Sequence, residues 1–195
     1  MDRDWQRFRT SVFFTSGDGN LRDGKAGGFD SILDKQFFAG GDNSFWNSQE
    51  IRLTQTGVAI TTQDSLIPSL RSSKTQGQAN FVNPGILVIN GAYDADLTPK
   101  LKLNVNFNYL RFHRTAVLQD LLFQPRIRHN IGFDYGAGVI YRPLLSENVI
   151  VRSGFSIFSP LSGFTDIYTS NCKGVNCGQG RQTLFALYSK LIFTF

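Results

Sequence analysis

Long apolar runs are missing from this chain, and their absence is the first constraint. No stretch of about 18 or more apolar residues occurs, so no helix of this sequence can span a bilayer. Cysteine is scarce. Its two copies lie in one polar stretch, Cys172-Lys-Gly-Val-Asn-Cys177. Zinc would need a second ligand pair and haem attachment a Cys-x-x-Cys-His, so the expectation is a Cys172–Cys177 disulfide formed in an oxidising compartment. The two histidines, His113 and His129, have no cysteine or carboxylate spaced as co-ligands, and no metal is expected. No Gly-x-Ser-x-Gly elbow occurs and Ser, His and Asp stand in no catalytic order, so the chain reads as a non-enzyme without a cofactor. The start, Met1-Asp-Arg-Asp-Trp5, has neither the basic end nor the apolar core of a secretory signal, which suggests a mature chain or a piece of a longer one.

Charge excludes another class. The net charge is +5, but the basic residues are dispersed along the chain and form no stripe with stacking aromatics between them. Nucleic acid is therefore not an expected partner. Asp18, Asp23, Asp30, Asp34 and Asp42 make one segment acidic, yet their spacing is not that of a calcium loop, and turn chemistry accounts for Asp among glycines.

What the chain has in quantity is Phe, Gly and alternation: 18 Phe, 6 Tyr and 19 Gly. In Lys100–His113, Leu101, Leu103, Val105, Phe107 and Tyr109 fall on one face of a strand, and Lys102, Asn104, Asn106 and Asn108 on the other. Ile131, Phe133, Tyr135, Ala137, Val139 and Tyr141 likewise oppose Asn130, Gly132, Asp134, Gly136 and Gly138. The strands predicted are about 6–15, 84–94, 100–113, 126–142, 148–158 and 182–195, with short turns at 94–100 and 142–148 and longer connections at 113–125 and 161–180. Gln49–Thr61 is compatible with a further strand, and Asp64–Ser72 with a short helix or extended piece.

One apolar face, one polar face and a short-long rhythm of connections are the pattern of an antiparallel transmembrane β-barrel. The expected class is all-β, residues 1–195 forming an outer-membrane barrel segment in which 17–80 is a long extracellular loop region. Single-chain barrels begin at about eight strands, so six strands imply the C-terminal part of a larger one. The aromatic C-terminus, Phe195, is then the end read by the barrel-assembly machinery.

Ser16-Gly-Asp18, Asp23-Gly-Lys25, Gly28-Phe-Asp30, Gln78-Ala-Asn-Phe-Val-Asn-Pro-Gly85, Leu97-Thr-Pro99 and Tyr141-Arg-Pro143 carry a resemblance. In order and placement they are similar to the C-terminal part of alginate-export outer-membrane proteins. The resemblance implies a barrel in the bacterial outer membrane, in contact with its lipid, passing an anionic polysaccharide or small anion through a basic lumen. Arg7, Arg9, Lys102, Arg126, Arg128, Arg152 and Lys190 fall on polar strand faces and are the candidate lumen and anion-binding residues, because rings of Arg and Lys select anions. The alternative readings are a structural or adhesion barrel, an outer-membrane enzyme, and a sheath around an electron-transfer haem protein.

Overall fold

The computed structural model describes residues 2–3, 5–25, 27–29, 39–49, 83–145, 148–169 and 182–194. They contain β1 (Asp2–Arg3), β2 (Gln6–Phe14), α1 (Phe45–Ser48), β3 (Ile86–Thr98), β4 (Leu101–Phe112), α2 (Ala116–Leu122), β5 (Asn130–Tyr141), β6 (Val149–Pro160), α3 (Ser162–Thr169) and β7 (Leu184–Phe193). The strands form one seven-stranded sheet in the order β1-β2-β3-β4-β5-β6-β7, every neighbouring pair antiparallel. This is a meander, the topology that short hairpin connections favour because each strand pairs with its successor.

Register follows the alternation. Asn90 stands opposite Asn108, Asn106 opposite Gly136 and Gly138 opposite Gly154, so the polar and glycine positions of four strands share one face. The other face carries Phe8, Val12, Ile89, Val105, Phe107, Phe133, Val139, Phe155 and Leu191, all exposed. On β7, Phe185 and Leu187 are 82% and 83% exposed.

The polar face is not polar along its whole length. Past Asn108 the same parity continues as Leu110 and Phe112, which are buried with Val88, Ile86, Ile131 and Phe158. Phe45 and Trp46 of α1, Leu118 and Leu122 of α2, and Phe164 and Ile167 of α3 close over them. Phe158 is the hub, with Phe45, Trp46 and Phe164 rings around it at centroid distances of 6.2, 5.8 and 4.9 Å. Each such buried side chain contributes roughly 1.5–3 kcal/mol by leaving water. The core therefore sits at one end of one face, and helices α2 and α3 lie inside the connections 113–125 and 161–180, where alternation stops.

The barrel expectation is corrected by this topology. In the described residues β1 and β7 stand at opposite ends of the strand order and do not pair, so the sheet is open and encloses no lumen. Closure joins first strand to last with a matching stagger, and an open edge in hydrocarbon leaves backbone groups without partners. The closed transmembrane barrel, the porin-like anion channel, the structural-barrel and outer-membrane-enzyme alternatives, and the bacterial outer-membrane location all lose their structural basis. The same holds for the partners they implied: outer-membrane lipid, a polysaccharide or anion passing through a lumen, and the assembly machinery at Phe195. Phe195 itself lies outside the described residues, as do Cys172 and Cys177 and all of 50–80, and with them the expected disulfide, nearly all of strand 49–61 and helix 64–72. No described helix is long and apolar enough to cross a membrane.

Candidate cleft on the polar face of the sheet

Asp134 organises this face. It is completely buried on β5 and accepts hydrogen bonds from the Ser44 hydroxyl, the Phe45 backbone N–H at 2.9 Å and the Asn108 amide at 3.2 Å. Ser44 is also the N-cap of α1, its side-chain oxygen accepting from the Asn47 N–H at 3.1 Å. Capping residues of this kind favour the start of a helix because their oxygen meets an otherwise orphaned N–H. One carboxylate thus pins the 39–48 segment onto the strands. Burial pushes the Asp134 carboxyl up to about 6, against the downward pull of the hydrogen bonds from Ser44, Phe45, Asn108 and the Trp46 backbone.

An amide relay runs from Asp134 across the sheet. The Asn108 amide also donates to the Ala39 carbonyl at 2.9 Å. Asn90 donates to the side-chain oxygens of both Asn106 and Asn108 at 2.6 Å and accepts from the Ser11 hydroxyl at 3.3 Å. Four strands are tied through side chains by this network, which buries Asn90 and Asn108 at low cost because their polar groups find partners, while Asn106 is held through its oxygen alone.

Glycine admits the covering segment. A Cβ at Gly136 would strike the Asn43 backbone carbonyl, and one at Gly154 would sit 2.7 Å from the Asn43 side-chain oxygen. The bare strand backbone is what lets Asn43 lie against the sheet, where it accepts a hydrogen bond from the Tyr188 hydroxyl at 2.5 Å. Lys190 reaches Asp42 at 2.5 Å from the same strand. Burial, followed by the Asp42 charge, raises the Tyr188 phenol above its usual range, with Arg152 opposing.

Between the 39–43 segment and strands β2–β7 lies a cleft of about 740 Å³, whose polar lining includes Arg9, Asn90, Asn104, Asn106, Arg152 and Tyr188. Arg9 is held by Asp94 at 2.7 Å, and Asp94 also accepts from Asn104 at 2.5 Å. Two buried donors on this lining, Asn106 Nδ2 and Arg152 Nε, have no hydrogen-bond partner among the described residues. A buried donor left unmatched costs about 1–3 kcal/mol.

The residues nominated from sequence are scattered by the fold. Arg9 and Arg152 line this cleft, and Lys190 stands opposite Arg152 in the β6–β7 register. Arg7 is exposed on β2 opposite Asp94, and Lys102 is half-buried opposite Asp96. Arg126 and Arg128 precede β5 and line a separate recess, where Arg128 forms a bidentate pair with Asp166 at 2.9 and 2.7 Å. That pair holds the Asp166 carboxyl below its usual value, first through the Arg128 side-chain hydrogen bond. Asn90, Asn106 and Asn43 went unnominated: they are individually ordinary, and only their convergence makes a site. Cys172 and Cys177 lie outside the described residues.

No family model, no curated protein and no solved structure matches this chain, so the resemblance to alginate-export proteins, whose barrel the open sheet already overturns, has no support.

Proposed function

We propose that this chain is a non-catalytic binding module whose polar cleft takes a small, uncharged, hydroxyl-rich molecule of the saccharide class. The observation that carries the reading is the convergence of the hydrogen-bonding side chains Arg9, Asn90, Asn104, Asn106, Arg152 and Tyr188 on the lining of one cleft. A ligand hydroxyl both accepts and donates, which suits a lining that mixes amides, guanidinium and phenol. Arg9 and Lys190 already face Asp94 and Asp42, so much of the local positive charge is compensated within the protein, which favours a neutral ligand over an anion. The Tyr188 ring offers a flat wall against which a sugar face can rest.

The test is a titration of the whole chain with neutral mono- and disaccharides, read by ligand-observed NMR. Saturable binding is expected, weakened on the order of tenfold in Arg152→Met, since a hydrogen bond from a charged donor is worth about 1.5–3 kcal/mol. Absence of saturable binding, or equal affinity in the variant, would overturn the proposal.

A further inference from the structure

A second recess, of about 470 Å³, opens where β4 ends and β5 begins, between the start of α2 and the start of α3. Its lining contains Arg111, Arg126 and Arg128, with His129 and Thr115. Asp166 is the carboxylate at this place, and both its oxygens are taken by Arg128, with the Arg128 backbone N–H adding a third hydrogen bond at 2.9 Å. This locks Arg128 in place and neutralises it. Arg111 and Arg126 form no ion pair among the described residues, which leaves two uncompensated positive charges on one concave surface.

Two further side chains shape the recess. His129 keeps its Nδ1 on the Phe112 carbonyl at 3.0 Å; the carbonyl can only accept, so the ring proton sits there and the ring is fixed. Thr115 is buried, and its hydroxyl oxygen accepts from the Gln119 amide at 3.1 Å, leaving its own O–H free to donate. The guanidinium groups and the Thr115 hydroxyl are thus the donors of the recess, with an excess charge of about two.

We propose that this recess binds a phosphate group, with Arg111 and Arg126 as its charged ligands and the Thr115 hydroxyl as an additional donor. A phosphate monoester carries roughly −1.5 to −2 charge at neutral pH and three acceptor oxygens, which matches both the charge and the donor set, whereas a single carboxylate would leave one arginine uncompensated. This site is separate from the cleft on the sheet, and its occupancy does not depend on that cleft.

Calorimetric titration at constant ionic strength tests it, using inorganic phosphate and glycerol phosphate as probes and acetate as the monoanion control. Saturable binding of at least one phosphate probe is expected; tighter binding of the ester identifies an organic phosphate as the source, and equal binding a free ion. Arg111→Gln with Arg126→Gln should weaken binding tenfold or more. Lys100→Gln with Lys102→Gln removes the same charge at the far end of β4, ~30 Å away at about 3.3 Å per residue and beyond screening range, and should leave affinity unchanged. Circular dichroism confirms that each variant is folded. Equal loss in both double variants, no loss in the arginine pair, acetate binding as tight as phosphate, or no saturation by either probe would overturn the assignment.

Discussion

Replacing Asp134 by Asn tests the keystone of the polar face. Burial raises the Asp134 carboxyl from 3.8 to about 6 in the folded protein. The folded state therefore holds this proton more tightly than the unfolded chain does. The stabilisation that results is fully present below pH 3.8 and is lost as the pH rises through about 6. A shift of roughly 2 units at about 1.4 kcal/mol per unit amounts to about 3 kcal/mol. The amide introduced by Asp134→Asn cannot ionise and has no such slope. Other carboxylates titrate in the same range, but they are common to both proteins, so the quantity to follow is the difference in unfolding free energy between wild type and Asp134→Asn. Urea denaturation from about pH 3.5 to about pH 7.5 should show the wild type losing about 3 kcal/mol relative to the variant, most of it between about pH 4 and about pH 6. A difference that stays flat within about 1 kcal/mol, or one in which the wild type gains on the variant as pH rises, would refute the reasoning. It would mean that the donors from Ser44, Phe45 and Asn108 outweigh burial and hold an ionised carboxylate at no cost.

His113 should behave in the opposite sense: burial, then Arg114 and His129, lower its pKa below 6.5, and its Nδ1 accepts from the Gly17 N–H at 2.9 Å. Its contribution is complete above the unfolded value of 6.5 and is lost as pH falls below it, so His113→Gln should flatten that part of the stability profile, measured by the same denaturation series. Gly136→Ala forces a Cβ against the Asn43 and Phe155 carbonyls, both backbone, and should cost roughly 1–3 kcal/mol with a change in Trp46 fluorescence as the 39–48 segment shifts. Leu110→Ala, at a site 1% exposed, should cost about 2–5 kcal/mol, whereas Phe107→Ala, at a site 47% exposed three positions earlier on the opposite face, should cost under about 1 kcal/mol; equal losses in chemical denaturation would mean the two faces are misassigned.

Strand positions and faces were legible in the sequence because alternation is local. A side-chain period of two puts Leu101, Leu103, Val105 and Phe107 together whatever surrounds them, and short turns at Pro99–Lys100 and after Tyr141 make neighbouring strands antiparallel. What lies against each face is a long-range property. Nothing in the run from Lys100 to His113 says that its polar side would be covered by residues 39–48, or that Leu110 and Phe112 would meet α1, α2 and α3 across a core. An exposed apolar face beside a polar one suggested lipid and lumen, whereas among the described residues the strand order leaves the first and last strands unpaired with each other, because that pairing depends on the twist and stagger summed over the whole sheet. The candidate sites divide in the same way. Arg9, Arg126, Arg128 and Arg152 were visible as charges, and Arg111 was missed because it falls where the alternation puts apolar residues. Whether a cation stands paired, as Arg9 is by Asp94 and Arg128 by Asp166, or lines a recess with no ion-pair partner among the described residues, as Arg111 and Arg126 do, rests on contacts between residues many positions apart, and tertiary structure alone decides it.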